Sequence, residues 1–251
     1  MSATDHRVEV HPRLLDAVGE EIASGRLAPG TVVTLEGLVA AHGVSRSAAR
    51  EAVRVLESMG MIASRRRVGL TVRPREEWHV FDPLLIRWRL ESGDRSEQLV
   101  SLSELRRGFE PVAAALAAER ADPEQCRALA VAASDMVTTG RRQDLEAYLA
   151  ADQAFHRTLL EASGNEMMRA LVPLVDAVLE GRTHHALMPS DPNPEAIELH
   201  DRVASAVRRG DPVAADAAMR AIIDETAAAL RDSAGGERSR RLPTRGVSRN
   251  R

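Results

Sequence analysis

Three polar side chains stand where helical spacing calls for apolar ones. Between residues 144 and 162 the stripe runs Leu145, Tyr148, Leu149, Asp152, Phe155, His156, Leu159 and Leu160. Asp152 and His156 therefore lie one turn apart on the buried side of a helix. His200 repeats the pattern on a stripe shared with Ile197, Ala204 and Val207. A buried carboxylate needs a partner, and Asp with His at i, i+4 can chelate one ion. A single inward His is ordinarily a satisfied core residue. Three such groups together point to a shared metal site or a polar-ligand site. On a further stripe, Leu99, Leu102, Arg106, Phe109 and Ala113, the pair Arg106 and Glu110 has two readings. It is an internal ion pair, or its guanidinium fork grips a ligand carboxylate.

A second polar set crowds a short N-terminal stretch. Ser45 follows Gly43-Val44 and is suited to cap a helix over residues 46–59 that buries Ala49, Val53 and Leu56. Arg46, Ser47, Arg50 and Arg54 occupy its first turn and outer face. Arg near the start of such a helix can donate two hydrogen bonds to guanine, and short hydroxyls suit phosphates. The preceding segment, Leu35 to His42, is a short helix joined through Gly43, so the two read as helix-turn-helix. Beyond Gly60, residues 61–64 and 65–72 read as a two-stranded wing with Gly69 at or near its tip. Arg65, Arg66 and Arg67 could clamp a DNA backbone or enter a minor groove.

The elements that must position these groups are mostly helices. Leu14, Leu15, Val18 and Ile22 recur at helical spacing and stop near Gly25, before a turn at Pro29-Gly30. Residues 76–94 read as a connector whose Trp78 and Trp88 pack between domains. From residue 95 the pattern is helical, broken at 121–123, 139–140, 163–165, 189–194 and 210–212, which predicts an antiparallel bundle of about six helices. Residues 235–251 are rich in Gly, Ser and Arg without apolar periodicity and read as a disordered basic tail.

Composition agrees. Hydrophobic residues reach 44% while aromatic ones are 2%, which favours helices packed through small side chains over an aromatic-rich sandwich. The single cysteine, Cys126, cannot form an internal disulfide and fits a reducing cytoplasm. No signal-peptide pattern or bilayer-length apolar run is present. All 34 basic residues are Arg, so Arg abundance alone says nothing about nucleic acid. Distribution says more: residues 1–75 carry 11 Arg against 8 acids, whereas residues 76–234 carry 17 against 28. A basic head on an acidic body suits a chain that presents one end to phosphates.

The run GVSRSAAREAVRVLESMGMI followed by RRRVGLTV resembles the GntR family of bacterial winged-helix regulators. That resemblance implies DNA contacts from Ser45, Arg46, Ser47 and Arg50, with Gly69 in the wing. The chain departs from it by carrying Glu36-Gly37, where many relatives have a charged pair that includes a DNA-contacting Arg. ELRRGFEPVAAALAAERA, DQAFHRTLLEASGN and LHDRVASAVRRGDPVAADAAMRAII are similar to the FCD effector domain of the FadR subgroup. This second likeness implies a divalent ion (Zn, Ni or Mn) on Asp152, His156 and His200. It also implies a small carboxylate effector, such as a sugar acid, meeting the ion, Arg106, Glu110 and Asn165. Where many FCD members have a fourth ligand His, this chain has Ile222.

The expectation is a mainly α chain: a winged helix-turn-helix over residues 8–75, a linker at 76–94, an all-α FCD-like antiparallel bundle over 95–233, and a tail at 234–251. Its expected role is a cytoplasmic homodimeric repressor of a sugar-acid or other small-carboxylate catabolic operon, bound to pseudo-palindromic operator DNA, without a membrane partner and released by an acid effector. The alternatives are a regulator sensing the metal itself and a metal-dependent enzyme. Against the enzyme, the sequence has no HExxH helix, no nucleophile–base pair and no phosphate loop.

Overall fold

The structure, a computed structural model, describes residues 6–93, 95–184 and 194–241. It divides into two compact units, residues 1–98 and 99–251.

In the first unit, α1 (His6–Ala23) ends where Gly25 takes φ 77°. Helix α2 (Leu35–His42) starts on Thr34, whose hydroxyl accepts from the Gly37 amide. It stops at Gly43 in the left-handed region (φ 64°), whose amide donates to the Val39 carbonyl. Two residues later Ser45 caps α3 (Arg46–Ser58) by accepting from the Ala48 amide. Ala49, Ala52, Val53 and Leu56 of α3 are buried and α3 packs on α1 and α2. The short glycine turn is what sets α3 against α2 with its polar face outward.

The wing has a third strand that the sequence reading lacked. Strands β2 (Ile62–Arg65) and β3 (Gly69–Val72) pair antiparallel, with Arg65 opposite Gly69. Strand β1 (Val32–Val33) joins the other edge of β3, giving the order β1-β3-β2. Two residues are too short for an alternation to show. The turn between β2 and β3 is Arg66-Arg67-Val68, with Arg67 at φ 66°. Gly69 lies below it: a Cβ there would stand 2.8 Å from the Val33 carbonyl oxygen. The glycine therefore serves the approach of β1 to β3.

The segment expected to be a linker belongs to this first unit. After a 3-10 turn at Arg75–Glu77 comes α4 (Pro83–Glu91), started by Pro83 and capped by the Asp82 carboxylate. Trp78 and Trp88, 6% and 1% exposed, are part of the same core as Leu14, Ile22 and Leu56. Neither acts as a spacer between domains. Helix α4 packs on α1, a contact between residues about 70 positions apart that local pattern cannot reveal.

The second unit is helical throughout its described residues: α5 (Arg95–Arg120), α6 (Pro123–Arg141), α7 (Leu145–Ala162), α8 (Glu166–Arg169), α9 (Val172–His184), α10 (Pro194–Arg209) and α11 (Pro212–Arg241). Helix α8 is a single turn. Helix α6 packs on α7 and α10, α10 on α11, and α7 on α9. Their core is made largely of alanine, valine and leucine, with Phe155 at 0% exposure. Residues 234–241, expected to be disordered, continue α11 in spite of Gly235 and Gly236. The rest of that tail lies outside the described residues.

Candidate functional site

In the first unit the sequence-predicted polar residues share one exposed face. Ser45, Arg46, Ser47 and Arg50 are all exposed on the first two turns of α3, and Arg66 and Arg67 are exposed at the wing turn. The Ser45 hydroxyl, besides capping, lies 3.1 Å from that of Ser47. Arg46 Nη2 lies 3.2 Å from Glu36 Oε1, an exposed ion pair that bridges α2 and α3. Arg50 has no such partner among the described residues. Glu36, read from sequence only as a lost contact, thus holds the guanidinium of its neighbour. An α-helix with a free Arg and exposed hydroxyls at its N-terminal end can enter a major groove and reach base edges.

In the second unit the three predicted ligands converge. Asp152, His156 and His200 are 4%, 1% and 3% exposed, and one ligand atom from each lies within 4.8 Å of the others. His156 Nε2 is 3.3 Å from Asp152 Oδ1, and His200 Nε2 is 3.4 Å from the same oxygen. The outer ring nitrogens are held. His200 Nδ1 donates to the Ala196 carbonyl at 2.7 Å. His156 Nδ1 stands 2.7 Å from Glu110 Oε2, an ion-pair distance without hydrogen-bond alignment. With Nδ1 of His200 on the carbonyl, its Nε2 presents a lone pair, as does the carboxylate, and His156 Nε2 does so when that ring is neutral. Asp152 Oδ1 and His200 Nε2 have no hydrogen-bond partner.

Buried acceptors facing one another are satisfied by a shared positive charge, either a proton on a ring or a metal cation between them. The spacing fits a metal cation: ligand atoms about 2.1 Å from a common ion at a tetrahedral angle are about 3.4 Å apart. The residues present therefore fit a divalent ion. Ile222, 4% exposed in the core of α11, offers no fourth ligand.

Arg106 and Glu110 lie directly behind. Arg106 donates from Nε to Glu110 Oε1 at 2.5 Å and from Nη2 to Oε2 at 3.3 Å, and the two are 1% and 0% exposed. Arg106 Nη2 is also 3.5 Å from His156 Nε2. The structure thus shows a buried ion pair that also reaches the edge of the candidate centre. Burial works against ionised Glu110, but Arg106 and then His156 hold its carboxyl down at about 2. Burial would likewise depress His156, yet the Glu110 and Asp152 carboxylates raise it to about 9. Asp152, opposed by burial, is held well below the usual carboxylate range by His156 and His200. The field of the pocket calls for positive charge.

Asn165 has a local role in the structure. It begins α8, its side-chain oxygen accepting from the Met167 amide at 2.9 Å, nine residues beyond His156 along the chain. His184 is about half exposed with Nε2 3.3 Å from Glu146, and His185 lies outside the described residues.

Sequence reasoning missed two groups. The Ser103 hydroxyl, one turn before Arg106, is buried without a partner. Arg182 on α9 is partly buried and lies in the field of Asp152, Tyr148 and Arg106. Its spacing from Val178 and Val175 was the available signal.

Comparison with known proteins gives matches to both units. Residues 12–72 match the gntR family of bacterial regulatory proteins, and residues 101–225 match the FCD domain. The chain is 27% identical over 222 residues to the galactonate operon transcriptional repressor of Escherichia coli, covering 88% of this chain and 96% of the relative. It is 30% identical over 226 residues to a probable D-xylose utilization operon transcriptional repressor of Paenarthrobacter nicotinovorans, covering 87% and 89%. Among solved structures, McbR/YncC of Escherichia coli has a similar fold, with a TM-score of 0.53 at 17% identity over 90% of this chain and 98% of that one. No helix of the described residues is long and apolar enough to cross a membrane.

Proposed function

The chain belongs to the GntR family of bacterial transcriptional regulators with an FCD domain, so it is a DNA-binding regulator rather than an enzyme; from that premise we propose that it is a homodimeric repressor of a catabolic operon for a sugar acid or similar small carboxylate. Two copies of α3 enter successive major grooves of a pseudo-palindromic operator, with Arg50 reading a base edge, Ser45 and Ser47 on phosphates, and Arg66 and Arg67 of the wing beside them. Asp152, His156 and His200 hold a divalent ion (Zn, Ni or Mn). When bound, that ion supplies open coordination positions that attract the oxygens of an acid. Glu110, fixed by Arg106, orients the His156 ring, and the Ala196 carbonyl orients His200. An acid that prefers the DNA-incompetent arrangement shifts the population and releases the operator.

The observation that carries this reading is the convergence of three buried acceptors at ligand spacing, in the same chain as an exposed helix-turn-helix. Asp152→Ala is expected to reduce zinc from about one ion per protomer to near none by elemental analysis. Equal zinc in variant and wild type would remove the metal from the proposal. At the other end, Arg50→Ala is expected to weaken operator binding about 5- to 150-fold in a fluorescence anisotropy titration, the equivalent of losing one base contact. An unchanged Kd would take Arg50 off the interface.

A further inference from the structure

The candidate centre leaves one cation without a role. Arg106 has two of its nitrogens on Glu110, so most of its charge is spent within the fold. Arg182 has neither a hydrogen bond nor an ion pair among the described residues, although it is partly buried. The Asp152 carboxylate lies in its field without pairing with it, and a guanidinium withdrawn from water with no directly paired anion is suited to a ligand that supplies one.

Its place is fixed by the register of α7 against α9. Arg157 meets Asp176 at 2.7 Å, Gln153 meets Glu180 at 3.1 Å, and Glu146 meets His184 at 3.3 Å. The two helices therefore run antiparallel, and Arg182 stands level with the turn of α7 between Tyr148 and Asp152. On α9 it follows Val178 by four residues and Val175 by seven, both at most 1% exposed, so it lies on the inward stripe. Tyr148, 3% exposed, has no hydrogen-bond partner for its hydroxyl among the described residues. A fork donor, a free hydroxyl and the candidate ion centre thus share one level of the bundle.

We propose that Arg182 binds the carboxylate of the effector, a small hydroxy acid, on the inner face of α7 and α9, with the Tyr148 hydroxyl as a second donor. The assignment rests on the reading that an organic acid enters the helical domain. The planar fork matches a carboxylate with two parallel hydrogen bonds, while the acid's hydroxyls remain free for other contacts. A neutral amide of the same acid would keep one carbonyl acceptor but turn an NH2 group to the other arm of the fork, losing one hydrogen bond and the charge.

The test uses the zinc-loaded full chain, with D-gluconate, D-galactonate, D-glucarate and L-lactate as probes and the corresponding amide of whichever acid raises the Tm. The wild type is expected to bind that acid at least about tenfold more tightly than its amide by calorimetry. Arg182→Gln should abolish this preference, and Arg182→Lys should retain part of it. The Tm increment given by zinc alone should be the same in all three proteins. Acid binding that is equal in wild type and Arg182→Gln overturns the Arg182 assignment and leaves the proposed function standing. Loss of the zinc increment in Arg182→Gln also overturns it, since Arg182 would then be a support of the centre. If none of the four acids shifts the zinc-loaded wild type, the acid-effector reading itself fails and the assignment with it.

Discussion

Glu110→Gln is expected to destabilise the helical domain by about 3–5 kcal/mol, the cost of leaving a buried charge without its counter-ion. Arg106 and Glu110 are 1% and 0% exposed, and each of the two carboxylate oxygens accepts from the guanidinium. Glutamine keeps the shape but removes the negative charge, so Arg106 remains ionised with only a neutral amide beside it. At this chain length the loss corresponds to a fall in Tm of about 10 °C. Zinc affinity should fall about 10- to 100-fold as well, because His156 loses the carboxylate behind its Nδ1. The double variant Arg106→Met with Glu110→Leu separates the two effects. It removes both charges and fills the space with apolar atoms, so its stability should lie well above that of Glu110→Gln, while zinc binding stays weak. If the double variant is no more stable than Glu110→Gln, the loss is one of packing and the buried-charge explanation is wrong.

The two functional faces were legible in the sequence to different depths. Asp152, His156 and His200 stood out because they violate an otherwise apolar 3.6-residue period, and that violation exists within single helices. The same holds for the capped turn from Gly43 to Ser45, where each residue type states its backbone conformation. What the sequence withheld depends on distant partners. Strand β1 is recognisable only by its pairing with β3. Asn165 was assigned to the effector by resemblance, and its capping of α8 shows only in the structure. Arg182 sits in the last turn of α9, where a cation ordinarily favours the helix dipole and faces water. Only the register against α7 turns it inward. The choice between ion pair and ligand grip for Arg106 could not come from i, i+4 spacing either, since both arrangements use the same face.

Trp88 is the long-range contact with the greatest consequence for the DNA-binding unit. Its ring is 1% exposed and its Nε1 donates to Asp16 Oδ1 at 2.9 Å, while Arg87 bonds the same oxygen. The ring lies on Gly19 of α1, where a Cβ would come within 2.4–2.6 Å of three ring carbons. Trp88→Ala is therefore expected to cost about 3–5 kcal/mol by emptying the space between α1 and α4. Gly19→Ala ordinarily stabilises a helix interior by about 0.5–1 kcal/mol. Here it should destabilise by about 1–3 kcal/mol, because the tethered ring must be displaced. In the Trp88→Ala background that obstacle is gone, and Gly19→Ala should change sign and stabilise. Urea denaturation of the wild type, both single variants and the double variant gives the coupling energy directly. Gly19→Ala stabilising the wild-type protein would mean that the ring does not rest on α1, and α4 would then have no claim to be part of the first unit's core.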